Sequence, residues 1–313
     1  MGRLSLPSPV LLIGINIGGT STTIVRGDSS GTIAGTIRLR TNPREPGKAF
    51  YEKLLHGVEQ LRTGVCALGV AVGGPMNATT GVLLDPQHLP HLKGFPLRER
   101  LLYDTGLPVR VHHDAAACAL AEYRWGPSVG AAGIAYLTCG TGFGSGIVLD
   151  GHARYGRDGF APEIGHVRFR DDGPDMFGKR GCYEGYGSAN ALALLARYRD
   201  RQRFAKSRPE DIVALAKAGD ATAQAALQDN IEAVGSACAL LVDALALDVV
   251  ALGSLASYLG ETWVDEVRNV FAREALPYHV ERCVVRAAMP GVQDRSALAA
   301  AADAWEESAG DSA

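Results

Sequence analysis

The sequence predicts a mixed α/β protein of two lobes, on three observations. At 313 residues the chain exceeds the usual size of a single domain. Its apolar pattern switches repeatedly between short buried runs of β type and helical spacing. Two glycine-ended strand openings, GINIGGT at 14–20 and LTCGTGFGSG at 137–146, resemble each other as duplicated halves would.

Taken in order, VLLIGINIGG (10–19) is a buried strand entering a glycine turn. The stretch 20–40 continues as β-hairpins, with Asp28-Ser29-Ser30-Gly31 supplying the turn chemistry. PGKAFYEKLLHGVEQLRTG (46–64) has helical spacing and a glycine stop, and VCALGVAVGGP (65–75) is a second buried strand ending in glycines. Residues 76–97 are irregular and RERLLYDTGL (98–107) is a short helix. LPVRV (107–111) is a β-like run that leads into an alanine-rich helix, 115–126, and 132–151 is strand again. A long helical region covers about 189–245, a strand follows at LDVVALGS (247–254), and 260–276 and 294–308 are the closing helices.

Composition bounds the function. The chain is 47% hydrophobic with 38 glycines, enough for a large core between many turns. A formal charge of −3 and a pI near 6.2 argue against a nucleic-acid-binding surface. Cysteines 66, 118, 139, 182, 238 and 283 are scattered with no C-x-x-C pair, which suits reduced thiols better than a disulfide framework. The start, MGRLSLPSP, is too short and polar for a signal peptide, and no apolar run approaches the roughly 18 to 20 residues of a membrane span. A soluble, cytoplasmic protein with a small-molecule partner, without nucleic acid or membrane, is expected.

The glycine motifs carry the chemistry. Gly18, Gly19 and Thr20 follow a buried strand, and Gly140, Thr141 and Gly142 repeat the arrangement after a second. Glycine permits a tight turn whose N–H groups point outward with no Cβ in the way, which suits phosphate oxygens. Neither is a Walker A loop, since no Gly-Lys-Ser/Thr follows, and neither is a dinucleotide fingerprint, since strand follows each. Between them lies His112-His113-Asp114, which invites a metal-site reading. Alternation along a strand puts His112 and Asp114 on one face and turns His113 away, so the three do not converge on one ion without a turn. Asp114 also suits the N-cap of the helix that follows.

These motifs together resemble the ROK (repressor, open reading frame, kinase) group of sugar kinases, over residues from about 11 to 303. The first phosphate loop is INIGGT, GVAVGGPMNATTGVLL matches the family's glycine-proline segment, and LPHLKGFPL resembles its sugar-proximal loop. HHDAAACALAE is similar to the segment with the catalytic aspartate, and CGTGFGSG to the second phosphate loop. GFAPEIGHVRF and GKRGCYEGYGS resemble the signature around sugar and zinc, and VVALGSLA stands where the adenosine-side glycine lies. The resemblance implies the two-lobed actin/hexokinase-like ATPase (ribonuclease H-like) fold, ATP with Mg²⁺, and a homodimer. It implies a smaller lobe over 1–114, completed by the helix at 294–306, and a larger lobe over 115–293. It makes Asp114 the general base; His91, His113, Glu163, His166 and Glu184 the ring contacts; and Gly18–Thr20, Gly140–Gly142 and Gly253 the nucleotide grip. His112, Glu122 and Trp125 read as framework.

Departures from the family pattern sharpen the reading. Asn16 stands where an aspartate usually supports magnesium, so its support is weaker and only through water. His91 and His113 replace asparagines that read sugar hydroxyls, Pro162 replaces a glycine before Glu163, Ala116 replaces a further asparagine, and Ser254 and Leu255 replace frequent glycines. Of the family's zinc ligands only His166 and Cys182 survive; Asp175 and Phe177 occupy two cysteine positions, so no structural zinc is expected, with a buried Phe177 filling the space. The expectation is an ATP-dependent kinase for a modified hexose, aminosugar or cyclitol, in which closing lobes exclude water. The alternatives are a plain glucokinase and a weakened kinase serving as a sugar or nucleotide sensor. A repressor is excluded by this reading, because the first phosphate loop begins too early to leave room for a DNA-binding domain.

Overall fold

The computed structural model describes residues 9–310. The chain divides into two compact units, one of residues 9–129, 151–161 and 289–310, the other of 130–150 and 162–288.

In the first unit, β1 (Leu11–Ile17) and β2 (Ser21–Asp28) form a hairpin, and β3 (Ile33–Arg40) follows antiparallel to β2. The Asp28–Gly31 turn is locked by Gly31 N–H donating to Asp28 O at 2.9 Å and Ser30 N–H to Asp28 Oδ1 at 2.8 Å. Helix α1 (Gly47–Leu61) buries Phe50, Tyr51, Leu54 and Val58. Strand β4 (Ala67–Val72) lies parallel to β1 and is buried at every residue, as a central parallel strand requires. Helix α2 (Leu97–Thr105) stops at Gly106, whose φ of 68° closes a left-handed cap. Strand β5 (Val109–His113) adds parallel to β4 and runs directly into α3 (Asp114–Trp125), giving the order β3-β2-β1-β4-β5.

The second unit repeats this plan. β6 (Gly133–Cys139) and β7 (Phe143–Leu149) form a hairpin, then β8 (Val249–Leu252) pairs parallel to β6 and β9 (Val284–Ala287) parallel to β8. A helical layer comprises α4 (Glu184–Gly187), α5 (Ala189–Arg199), α6 (Pro209–Lys217), α7 (Ala221–Leu245), α8 (Leu255–Leu259) and α9 (Glu261–Glu274). α7 is its centre: Asn230 is fully buried and accepts from Trp263 Nε1 on α9 at 3.2 Å. The strand β9 had no reading in the sequence.

Helix α10 (Val292–Gly310) returns to the first unit and lies across β1 and β4. Its alanines are a geometric requirement. A Cβ on Gly69 of β4 would lie 2.0 Å from Ala301 N, and one on Gly14 of β1 would lie 2.6 Å from Leu298 N. Small residues on both sides therefore bring backbone against backbone.

The expected lobe boundary at 114/115 is corrected by the structure. Helix α3 stays with the first unit because Arg124 pairs with Asp303 and Glu306 of α10. Residues 151–161 return there too, with Tyr155 OH 2.8 Å from His112 Nδ1. Among the described residues no helix is long and apolar enough to cross a membrane.

Candidate active site

In the first unit the catalytic candidate arises from where β5 ends. Parallel pairing of β4 and β5 aligns Val72 with His113, so both strands terminate at one edge. Beyond it Gly73 and Gly74 pack on the end of β5 and the start of α3: a Cβ on Gly73 would lie 3.8 Å from Asp114 Oδ2, and one on Gly74 3.2 Å from His113 Cδ2. Asp114 occupies the first turn of α3, where the helix dipole favours a carboxylate. Its Oδ1 accepts from Ala115 N–H at 2.7 Å, and its side chain remains 47% exposed.

Strand alternation fails at this junction. The strand ends at His113 and the helix begins at Asp114, so His113 does not point away. Its Nδ1 lies 3.3 Å from Asp114 Oδ1, within ion-pair distance but without hydrogen-bond geometry. His112 turns the other way and is 1% exposed, with Nδ1 2.8 Å from Tyr155 OH and Nε2 3.1 Å from Asp303 Oδ2. Tyr155 OH also accepts the His113 N–H at 3.1 Å. Burial would raise the Asp303 carboxyl, but the hydrogen bond and charge of His112, together with Arg124, outweigh it and hold it below the usual range. His112 is thus framework, and the three residues are not a metal cluster; among the described residues no group of three or more His, Cys, Asp or Glu is assembled to hold an ion.

The first glycine loop closes the β1–β2 hairpin, with Gly18 N–H donating to Ser21 O at 3.0 Å. Its backing was missed by sequence reasoning: a Cβ on Gly19 would meet the Cβ of His88 at 2.8 Å. The pair of histidines in QHLPH was the available signal, but only His91 has a family counterpart. Asn16 Nδ2 donates to Gln293 O at 3.0 Å, which fixes the amide with Oδ1 as its remaining acceptor. His91 meets Phe50 edge-on, ring centroids 5.3 Å apart. Burial lowers the His91 pKa, countered in part by the charge of Glu45, and both ring nitrogens are enclosed with no protein partner.

In the second unit, the loop Gly140–Gly142 closes the β6–β7 hairpin and is tied to the start of α5. Ala189 N–H donates to Gly140 O at 2.8 Å and Asn190 Nδ2 to Thr141 O at 3.0 Å. Gly253 is demanded by packing, since a Cβ there would lie 2.2 Å from the hydroxyl of buried Tyr136. Ser254 adopts φ 35°, a strained left-handed conformation, and stands 3.1 Å from where a Gly140 Cβ would be. These residues open on a cavity of about 350 Å³ lined by Gly140, Thr141, Asn190, Arg208, Ser254 and Tyr258.

Glu184 begins α4 and gathers two motifs: its Oε2 accepts from Phe143 N–H at 3.5 Å and would lie 3.4 and 3.5 Å from Cβ atoms on Gly142 and Gly165. Glu163 is exposed and precedes the 3₁₀ turn Ile164–His166, with His166 N–H donating to Glu163 O at 3.1 Å. Phe177 corrects the sequence reading: it is 57% exposed at φ 53°, not buried, and tilts against the His166 ring with centroids 5.5 Å apart. Asp175 Oδ1 accepts Gly178 N–H at 3.0 Å inside this short hairpin, while Cys182 is fully buried. A phenylalanine, a turn-making aspartate and one cysteine do not fit a closed four-ligand zinc site.

The ROK family model matches residues 12–307. The chain belongs to the ROK family. It is 28% identical over 285 residues to a glucokinase of Halalkalibacterium halodurans, covering 85% of this chain and 86% of that one. It is 29% identical over 275 residues to an N-acetylmannosamine kinase of Salmonella arizonae, covering 88% and 92%. The solved ROK glucokinase of Streptomyces griseus, in complex with glucose and AMPPNP, superposes with a TM-score of 0.74 at 27% identity, covering 93% and 98%. The fold is the actin-like ATPase fold of the ROK hexokinases.

Proposed function

We propose that this ROK protein is an ATP-dependent phosphotransferase acting on a hydroxyl of a sugar or sugar-like ring. The observation that carries the reading is Asp114, a half-exposed carboxylate at the end of a central parallel strand, bordered by Gly73 and His113. Relatives named glucokinase and N-acetylmannosamine kinase, and a neighbour holding AMPPNP, support the reaction class.

In this reaction the ring oxygen attacks the γ-phosphorus, the bond to the β–γ bridging oxygen breaks, ADP departs with that electron pair, and Asp114 takes the hydroxyl proton. The Gly18 and Gly140 N–H groups close their own turns; the other N–H groups of Gly18–Thr20 and Gly140–Gly142 hold phosphate oxygens, and the 350 Å³ cavity beside Gly253 takes the nucleoside. His91, His113, Glu163, His166 and Glu184 orient the ring. Magnesium, when bound, neutralises charge developing on the phosphates. Asn16, its amide oriented by Gln293, would support that ion through a water and without a charge of its own.

Histidines at two hydroxyl-reading positions favour a modified hexose, aminosugar or cyclitol; the relatives named glucokinase favour plain glucose as the second reading. Asn16 favours a third, a weakened kinase that senses its ligand. A coupled ADP-release assay with Mg-ATP against hexoses, aminosugars and cyclitols separates them. Asp114→Asn is expected to lower turnover on the accepted ring by about 10²- to 10⁴-fold, with the fold intact by circular dichroism. Undiminished turnover removes Asp114 as the base, and ring binding without turnover leaves the sensor reading. The chain carries no structural zinc in this reading; one stoichiometric zinc by elemental analysis overturns that part.

A further inference from the structure

Glu45 lies in the connection between β3 and α1 and has no role in the family resemblance. Its side chain is only 10% exposed. One oxygen, Oε2, is paired with Lys53; the other, Oε1, is enclosed with no partner in the protein. Both nitrogens of His91 are likewise enclosed and unpartnered, and the Glu45 charge acts on that ring. Three orphaned buried polar atoms in one neighbourhood are costly unless something completes them.

The neighbourhood flanks the first phosphate loop. Thr41 N–H donates to Thr20 O at 3.0 Å, so the segment carrying Glu45 leaves directly from the loop. The segment carrying His91 touches the same loop through His88 and Gly19. The two segments also meet each other, since a Cβ on Gly47 would lie 2.3 Å from His91 O.

We propose that Glu45 Oε1 and the His91 imidazole form a specificity subsite for hydroxyl groups of the acceptor ring. The proposal rests on the sugar-kinase reading and names a determinant within it. The chemistry selects the occupant. An ionised carboxylate only accepts hydrogen bonds, whereas a neutral imidazole offers one donor and one acceptor. A pair of ring hydroxyls satisfies all three atoms. A phosphate is repelled by Glu45, so the subsite is not part of the nucleotide grip. Lys53 already balances the Glu45 charge, so the subsite favours a neutral hydroxyl over an ammonium group.

Isothermal titration of the full chain with glucose, glucosamine, N-acetylmannosamine and myo-inositol, separately from AMPPNP, tests this. Glu45→Gln is expected to weaken the tightest ring at least about tenfold while leaving the AMPPNP Kd unchanged, as loss of a hydrogen bond to a charged group does. Lys53→Met, which removes only the exposed partner, is expected to lower Tm and leave ring affinity in place. Should Glu45→Gln fail to fold, Glu45→Asp keeps the charge, withdraws it from the ring and is expected to show the same selective loss. Parent-like ring affinity in the Glu45 variants, an equal loss in Lys53→Met, tighter binding of glucosamine than glucose, or no ring binding by the parent each overturns the proposal. Ring binding lost in Glu45→Gln but with no phosphorylation by the parent supports the subsite and removes the kinase reading alone.

Discussion

The two halves of the molecule share a strand plan and differ in what presses on their glycines. In each, an antiparallel hairpin with a glycine loop is extended by two parallel strands: β2-β1-β4-β5 in the first unit, β7-β6-β8-β9 in the second. In the first, Gly69 of β4 faces helix backbone, with Ala301 N and Ala297 O at 2.0 and 2.2 Å from where its Cβ would be. In the second, Gly253, just beyond β8, faces chiefly one side chain, with Tyr136 OH and Cζ at 2.2 and 2.7 Å and Leu137 O at 3.2 Å. Backbone inside a helix has nowhere to go, but a side chain can be shortened. The same glycine requirement is therefore absolute in one half and conditional in the other.

That contrast is open to direct attack. Gly69→Ala is expected to cost about 3 kcal/mol or more, measured by denaturant unfolding, because the added methyl must part a helix from a buried sheet. Trimming a single residue opposite it is expected to give no rescue. Gly253→Ala is expected to cost less, roughly 1–3 kcal/mol, and to be partly rescued by shortening the facing side chain in Tyr136→Leu. Equal rescue in both halves breaks the comparison.

A smaller effect sharpens it at the phosphate loops. Gly19 is backed by the Cβ of His88 at 2.8 Å, whereas Gly140 meets only Ser254 Oγ, at 3.1 Å. Gly19→Ala is expected to raise the KM for ATP by about tenfold through displacement of the loop, with recovery in Gly19→Ala/His88→Gly. Gly140→Ala is expected to move it less. Steady-state kinetics on the four proteins decides, and a larger effect at Gly140 reverses the assignment of which loop is the more tightly backed.

Much of this was legible in one dimension. Buried runs of period-free apolar residues marked β1, β4 and β8, turn chemistry at 28–31 marked the β2–β3 hairpin, and glycine-ended openings marked both phosphate loops. Both glycine loops close β-hairpins as read, but three readings failed for one reason. His113 turns beside Asp114 because the strand stops one residue before alternation would have carried through. Phe177 sits outside because its short hairpin, with φ 53° at this residue, projects it against the His166 ring and not into the core. Helix α3 belongs with the first unit because Arg124 pairs with Asp303 and Glu306 of α10, 179 and 182 positions further along the chain. Each depends on a long-range contact or an element boundary, which local pattern does not contain.

What the sequence determined alone was periodicity, turn chemistry and the identity of the reactive groups, because these are set by neighbours along the chain. Only the tertiary structure decided that Glu45 and His91, 46 positions apart in the numbering, share one neighbourhood beside the first glycine loop, and that His88 backs that loop. The physical reason is that desolvation and orphaned hydrogen-bonding capacity are properties of an enclosed place, and a place exists only once distant segments have packed around it.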